Sequence, residues 1–72
     1  MKERPYQVII NTNGNIIKQR VNYWKECEKL IIANQDSTTE ILIIDNNGKY
    51  QYAYSQKTPR ELIEKYKRGG II

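Results

Sequence analysis

The chain of 72 residues has no histidine, no phenylalanine and one cysteine, Cys27. A single thiol cannot close an internal disulfide, and without imidazoles it cannot complete the Cys/His ligand set of a structural zinc site. The same lack removes the usual base for a cysteine nucleophile, so Cys27, on an apolar stripe, is expected to be a buried, inert thiol. The four glycines fall in two Asn-Gly pairs and in Gly69-Gly70, which leaves no glycine-rich loop to cradle a phosphate. Ile41–Ile44 is far too short an apolar run to span a bilayer. Met1-Lys2-Glu3-Arg4-Pro5 is charged and no long apolar stretch follows it, so no leader is expected. With so little cysteine, a reducing cytoplasmic setting is the expectation. Abundant Asn, Ile, Lys and Tyr are compatible with an AT-rich coding sequence, such as that of a low-GC bacterium or its phages.

What is present is a repeat. Val8-Ile9-Ile10-Asn11-Thr12-Asn13-Gly14 returns 34 positions later as Leu42-Ile43-Ile44-Asp45-Asn46-Asn47-Gly48. Asn-Gly after an apolar run is the strongest short signal for a two-residue hairpin turn, because both turn residues need positive φ. Each copy leads into a second strand-like run and then a helix-like run. The expected fold is α+β: a tandem ββα-ββα repeat, with units of about 6–34 and 40–72, forming one four-stranded antiparallel sheet in a single domain spanning 1–72. Both helices are expected mainly on one face.

Turn position sets register, and cross-strand partners share a face. A turn at Asn13-Gly14 places Tyr6, Val8, Ile10, Ile17 and Val21 on one face, the predicted core, with Gln7, Ile9, Asn11, Ile16, Lys18 and Arg20 on the other. A turn at Asn47-Gly48 opposes Ile43 to Tyr52, Ile41 to Tyr54, Leu42 to Ala53 and Ile44 to Gln51. Both faces of this second hairpin are apolar, and a strand apolar on both sides needs cover on both. With the helices on the Val8 face, Ile9, Ile16, Leu42 and Ile44 lack cover and are the predicted partner or dimer interface. Small size supports the same expectation, since a core of this size rarely supplies more than roughly 3–5 kcal/mol without a staple.

The first helix is expected to begin at an Asn22 cap, with Trp24, Cys27, Leu30 and Ile31 as its apolar stripe. Leu30-Ile31-Ile32-Ala33 also reads as a strand, and periodicity alone leaves both readings open. The second helix starts at Thr58-Pro59-Arg60-Glu61, a capping box with proline at the first helical position. It buries Leu62, Ile63 and Tyr66 and stops at Gly69-Gly70.

The net charge of +4 is unevenly placed. Residues 1–48 carry six basic and six acidic side chains, whereas residues 49–72 carry six basic against two acidic. Lys57, Arg60, Lys65, Lys67 and Arg68, joined by Lys18 and Arg20, are the candidate contacts to nucleic acid or an acidic partner. Tyr50, Tyr52 and Tyr54 alternate, which fits either a core stripe or a stacking platform for single strands. A hairpin and basic helix over Gly48 to Lys67 resembles sheet-type DNA readers, without a diagnostic motif. Glu61 belongs to the capping box, and Glu26 and Glu28 point to different sides of a helix. No acid/base pair stands out, and no enzyme activity, cofactor, metal or small-molecule substrate is expected. The leading expectation is a small protein-interaction module, an inhibitor or adaptor of the kind phages and mobile elements encode, acting through its apolar sheet face and self-association. The alternative is a basic nucleic-acid-binding regulator using the C-terminal hairpin and helix.

Overall fold

A computed structural model describes residues 5–72; the charged run Met1-Lys2-Glu3-Arg4, on which the expectation of no leader rests, lies outside them. The elements are β1 (Tyr6–Thr12), β2 (Asn15–Val21), α1 (Trp24–Asn34), β3 (Thr39–Asp45), β4 (Tyr50–Tyr54) and α2 (Pro59–Arg68). The strands form one antiparallel sheet in the order β2-β1-β3-β4. Among the described residues no helix is long and apolar enough to cross a membrane.

The first hairpin has the register expected of it, with Tyr6 opposite Val21, Ile10 opposite Ile17 and Thr12 opposite Asn15. Asn13 (φ 52°) and Gly14 (φ 94°) both take positive φ, the requirement of a type I′ turn. The second hairpin differs. Its turn is one residue longer: Gly48 N–H donates to the Asp45 carbonyl, Asp45 N–H donates to the Lys49 carbonyl, and only Gly48 is left-handed, at φ 77°. The Asp45 carboxylate fixes this turn by accepting from the amides of Asn47 and Lys49, each at 2.9 Å. Beyond the turn a register shift restores Ile43 opposite Tyr52 and Ile41 opposite Tyr54 but places Ile44 opposite Tyr50, not Gln51. The bulge sends Tyr50 to the face opposite Tyr52 and Tyr54, so the three tyrosines do not form one stripe.

β1 and β3 pair with Val8 opposite Ile43 and Ile9 opposite Leu42. The repeat aligns Val8 with Leu42, and those two residues therefore face opposite sides of the sheet. The element order ββα occurs twice, but the two halves do not present equivalent faces. This offset corrects the placement of the helices. α1 covers Val8, Ile10, Val21, Ile41 and Ile43 through Cys27 and Ile31, with Trp24, Leu30, Tyr52 and Tyr54 at the margin. α2 crosses to the other face and covers Ile9, Leu42 and Ile44 with Leu62 and Tyr66, flanked by Ala53, Ile63 and Ile71. The sheet is the middle of three layers.

Local chemistry explains both helices. α1 runs through Leu30–Ala33 as helix to Asn34 and is capped one residue later than expected, at Tyr23. The Glu26 carboxylate accepts from the amides of Asn22 (3.0 Å) and Tyr23 (3.3 Å). α2 has its expected capping box, with Thr58 Oγ1 accepting from Glu61 N–H and Glu61 accepting from Thr58 N–H. Its end is a Schellman turn: Gly70 sits at φ 75°, Gly70 N–H donates to Lys67, and Ile71 N–H donates to the Tyr66 carbonyl. That turn folds Ile71 back onto the α2 core.

Leu62 is fully buried between α2 and the sheet, so Leu62→Ala should cost about 2–5 kcal/mol, comparable to the whole stability of so small a domain. Ile32→Ala, at a side chain 76% exposed on α1, should change stability by less than about 0.5 kcal/mol. Urea unfolding of both variants checks this, and equal effects would contradict the position of α2.

Candidate functional site

Ile9, Leu42 and Ile44 were expected at an interface between chains. They are buried within this chain by Leu62 and Tyr66, so the need that motivated that interface is met internally. Ile16 stands apart from them at the sheet margin and is 40% exposed. Ile17, read from the sequence as core, is 57% exposed because it projects beyond the cover of α1.

The basic candidates do not gather into one patch. Lys57, Lys65 and Arg68 line an open groove of about 440 Å³ together with Glu61 and Glu64, so its charge is mixed. Arg68 meets Glu64 at 3.6 Å in an exposed pair, of a kind that contributes little to stability. Arg60 and Lys67 lie in a different groove, with Tyr50, Pro59, Ile63 and Glu64. Lys18 and Arg20 lie on β2: Lys18 Nζ donates to the Ile71 carbonyl at 2.7 Å, and Arg20 donates to Asn46 Oδ1 (3.2 Å) and Gln7 Oε1 (3.4 Å). Both heads are drawn back over the sheet, away from its edge.

Glu40 organises the α2 side. One carboxylate oxygen accepts from Lys65 Nζ (3.0 Å), Tyr66 Oη (2.8 Å) and Asn11 Nδ2 (3.4 Å). Burial works against its charge, but the hydrogen bonds from Lys65 and Tyr66 and the charges of Lys65 and Lys57 outweigh it and hold its pKa below the usual glutamate value. Tyr66 is pushed up to about 12, by burial first and then by its bond to the Glu40 charge, which favours keeping the phenol proton. Burial and the charge of Glu26 push the Cys27 thiol up to about 11, which suits the inert thiol expected from sequence. Among the described residues no group of three or more His, Cys, Asp or Glu side chains could hold a metal ion.

The feature that sequence reasoning missed is the β2 edge. Residues Asn15–Arg20 are exposed throughout, and among the described residues β2 pairs with β1 alone. In an antiparallel ladder, hydrogen-bonded and non-bonded pairs alternate, and the residues flanking a two-residue turn are bonded. Asn15, Ile17 and Gln19 therefore bond to β1, while the N–H and C=O of Ile16, Lys18 and Arg20 point away from the sheet. The edge is seven residues long and regular. The opposite edge, β4, has five residues and a register shift, and both features discourage strand addition. A signal was present in the sequence: Gln19, polar opposite buried Val8, breaks the alternation expected of a covered strand. No protein-family model, curated protein or solved structure matches the chain, so this geometry carries the argument.

Linkage gives opposite pH limits. Glu40, with its folded pKa lowered, contributes stability above its unfolded value, and that contribution is lost as pH falls through the folded value. Tyr66, raised from 10.0 to about 12, contributes fully below pH 10, and its contribution is lost between pH 10 and about 12. Tyr66→Phe should therefore lose less stability than the wild type across that alkaline window. Denaturant titrations at a series of pH values check this, and identical alkaline losses in the two proteins would contradict it.

Proposed function

We propose that the chain is a non-enzymatic protein-interaction module that engages partners by strand addition at β2. The observation that carries this reading is the contrast between the two sheet edges. β2 is long, regular and exposed on both faces, with Ile16 on one side and Ile17 on the other, whereas β4 is short and bulged. Strand addition derives affinity from main-chain hydrogen bonds and selectivity from the side chains that flank them. Here Ile16 and Lys18 offer the main-chain groups, and Ile17 offers an apolar contact on the α1 side. Lysine at an edge often serves to repel a visiting strand. Lys18 is turned away toward Ile71, which leaves its main-chain groups accessible. An inhibitor or adaptor role, of the kind phages and mobile elements encode, fits a chain with a regular, exposed strand edge.

One observation favours nucleic acid as the second reading. Arg60 and Lys67 share a groove with Tyr50, which is 44% exposed, an arrangement of cations beside an aromatic ring that suits single strands. It ranks second because the other basic candidates lie elsewhere, three of them among acidic side chains.

Lys18→Pro removes an outward N–H at an edge position where proline is tolerated. Lys18→Ala removes only the side chain. Tagged wild type should capture, from nuclease-treated extract, protein that Lys18→Ala retains and Lys18→Pro loses, with near-ultraviolet circular dichroism unchanged. Capture that disappears with nuclease, or that Lys18→Pro leaves intact, would contradict the reading.

A further inference from the structure

We infer that the strand which fills the β2 edge is β2 of a second copy of this chain, in a two-fold antiparallel register centred on Ile17. This rests on the strand-addition reading above and specifies its occupant.

The register follows from which groups face outward. A two-fold axis perpendicular to the sheet keeps each face of one copy on the same side as that face of the other, so paired residues must share parity. Four registers, centred on residues 16 to 19, satisfy this near the middle of the strand. Centring on Lys18 sets the two Lys18 side chains directly opposite each other, and centring on Gln19 sets Lys18 opposite Arg20 of the second copy; like charges in a cross-strand pair are destabilising. Centring on Ile16 runs much of the ladder into the Asn13-Gly14 turn, where both residues have positive φ. Centring on Ile17 avoids both faults. Ile16 then exchanges two hydrogen bonds with Lys18 of the second copy, and Lys18 does the same with Ile16 of the second copy. Ile17 lies at the axis against its own copy, in a non-hydrogen-bonded pair, the geometry that brings side chains closest.

Side chains support the same choice. Ile17, 57% exposed, gains an apolar partner of its own kind on the α1 face. On the α2 face Ile16, 40% exposed, lies beside the aliphatic stem of Lys18 of the second copy, whose head is already directed to Ile71. The contact is isologous, so it closes as a dimer with an eight-stranded sheet and does not propagate. The remaining edges of that sheet are the two bulged β4 strands. One strand pair lies at the small end of specific interfaces, so association in the micromolar range is expected. Because both copies carry +4, added salt should strengthen the dimer, the opposite of its effect on nucleic-acid binding.

Cysteine scanning tests the register in the full chain. At the axis, Cα atoms about 4.5 Å apart suit a disulfide. Residue 18 and its copy are two residues out of register, about 8 Å apart, beyond disulfide reach. Cys27 is fully buried and does not interfere. Under mild oxidation Ile17→Cys should form a disulfide dimer at least about ten times faster than Lys18→Cys or Gln19→Cys. Wild type should sediment as a monomer–dimer equilibrium that Lys18→Pro and Ile17→Lys shift to monomer. A wild type that stays monomeric at high micromolar concentration, or crosslinking no faster at 17 than at 18 or 19, would overturn the self-pairing. If such a monomer still captured protein in a Lys18→Pro-sensitive way, the strand-addition reading would stand without this occupant. If neither capture nor self-association responded to Lys18→Pro, both would fall.

Discussion

The pairing of β1 with β3 is the constraint on which the rest of the molecule depends. Val8, Ile10, Ile41 and Ile43 turn to one side of these central strands, and Ile9, Leu42 and Ile44 turn to the other. β3 is apolar on both faces and β1 adds Ile9 to the second, so leaving either face wet would forfeit about 25 cal/mol per Å² of apolar surface otherwise buried. Two short helices satisfy this demand only by taking one face each. The three-layer arrangement, the crossing of α2, and the return of Ile71 through the Gly70 turn all follow from it. So does the state of the edges. Helices committed to the two central strands leave the outer part of β2 uncovered, with Ile17 beyond α1 and Ile16 beyond α2.

Much of this was legible in the sequence because it is encoded locally. Asn13-Gly14 fixes the first hairpin and its register, and Thr58-Pro59-Arg60-Glu61 fixes the start of α2. The apolar stripe of Cys27 and Ile31 fixes the buried side of α1. The side of the sheet taken by α2 is a non-local fact. Hairpin register placed Val8 with Ile43 on one face and Ile9 with Leu42 and Ile44 on the other, as the strand pairing has them, but it could not say that α2 crosses to cover the second face. Asn47-Gly48 was correctly a turn signal, but the Asp45 carboxylate, by capturing two amides, selected a different turn.

The candidate site was less legible, for a related reason. Hydrophobicity marks what must be buried and does not say by what, so Ile9, Leu42 and Ile44 read as an interface when they are covered from within. Charge counts likewise gathered Lys57, Arg60, Lys65, Lys67 and Arg68 into one patch, whereas helical rotation divides them between two grooves and Glu40 engages Lys65. An open edge is a property of sheet order, and sheet order is settled by long-range pairing. Its only trace in the sequence was a polar residue, Gln19, at a position where a covered strand would be apolar.

Residue-resolved amide hydrogen exchange at increasing protein concentration tests the central claim, that β2 is an available edge beside a sheet covered on both faces. Slow exchange is expected throughout the central part of β1 and β3 at every concentration. Along β2, alternation is expected in dilute protein, with Ile17 and Gln19 protected and Ile16 and Lys18 exchanging fast. The last two should slow as concentration rises. Uniform protection of β2 in dilute protein, or fast exchange at Ile16 and Lys18 at all concentrations and with every partner, would contradict it.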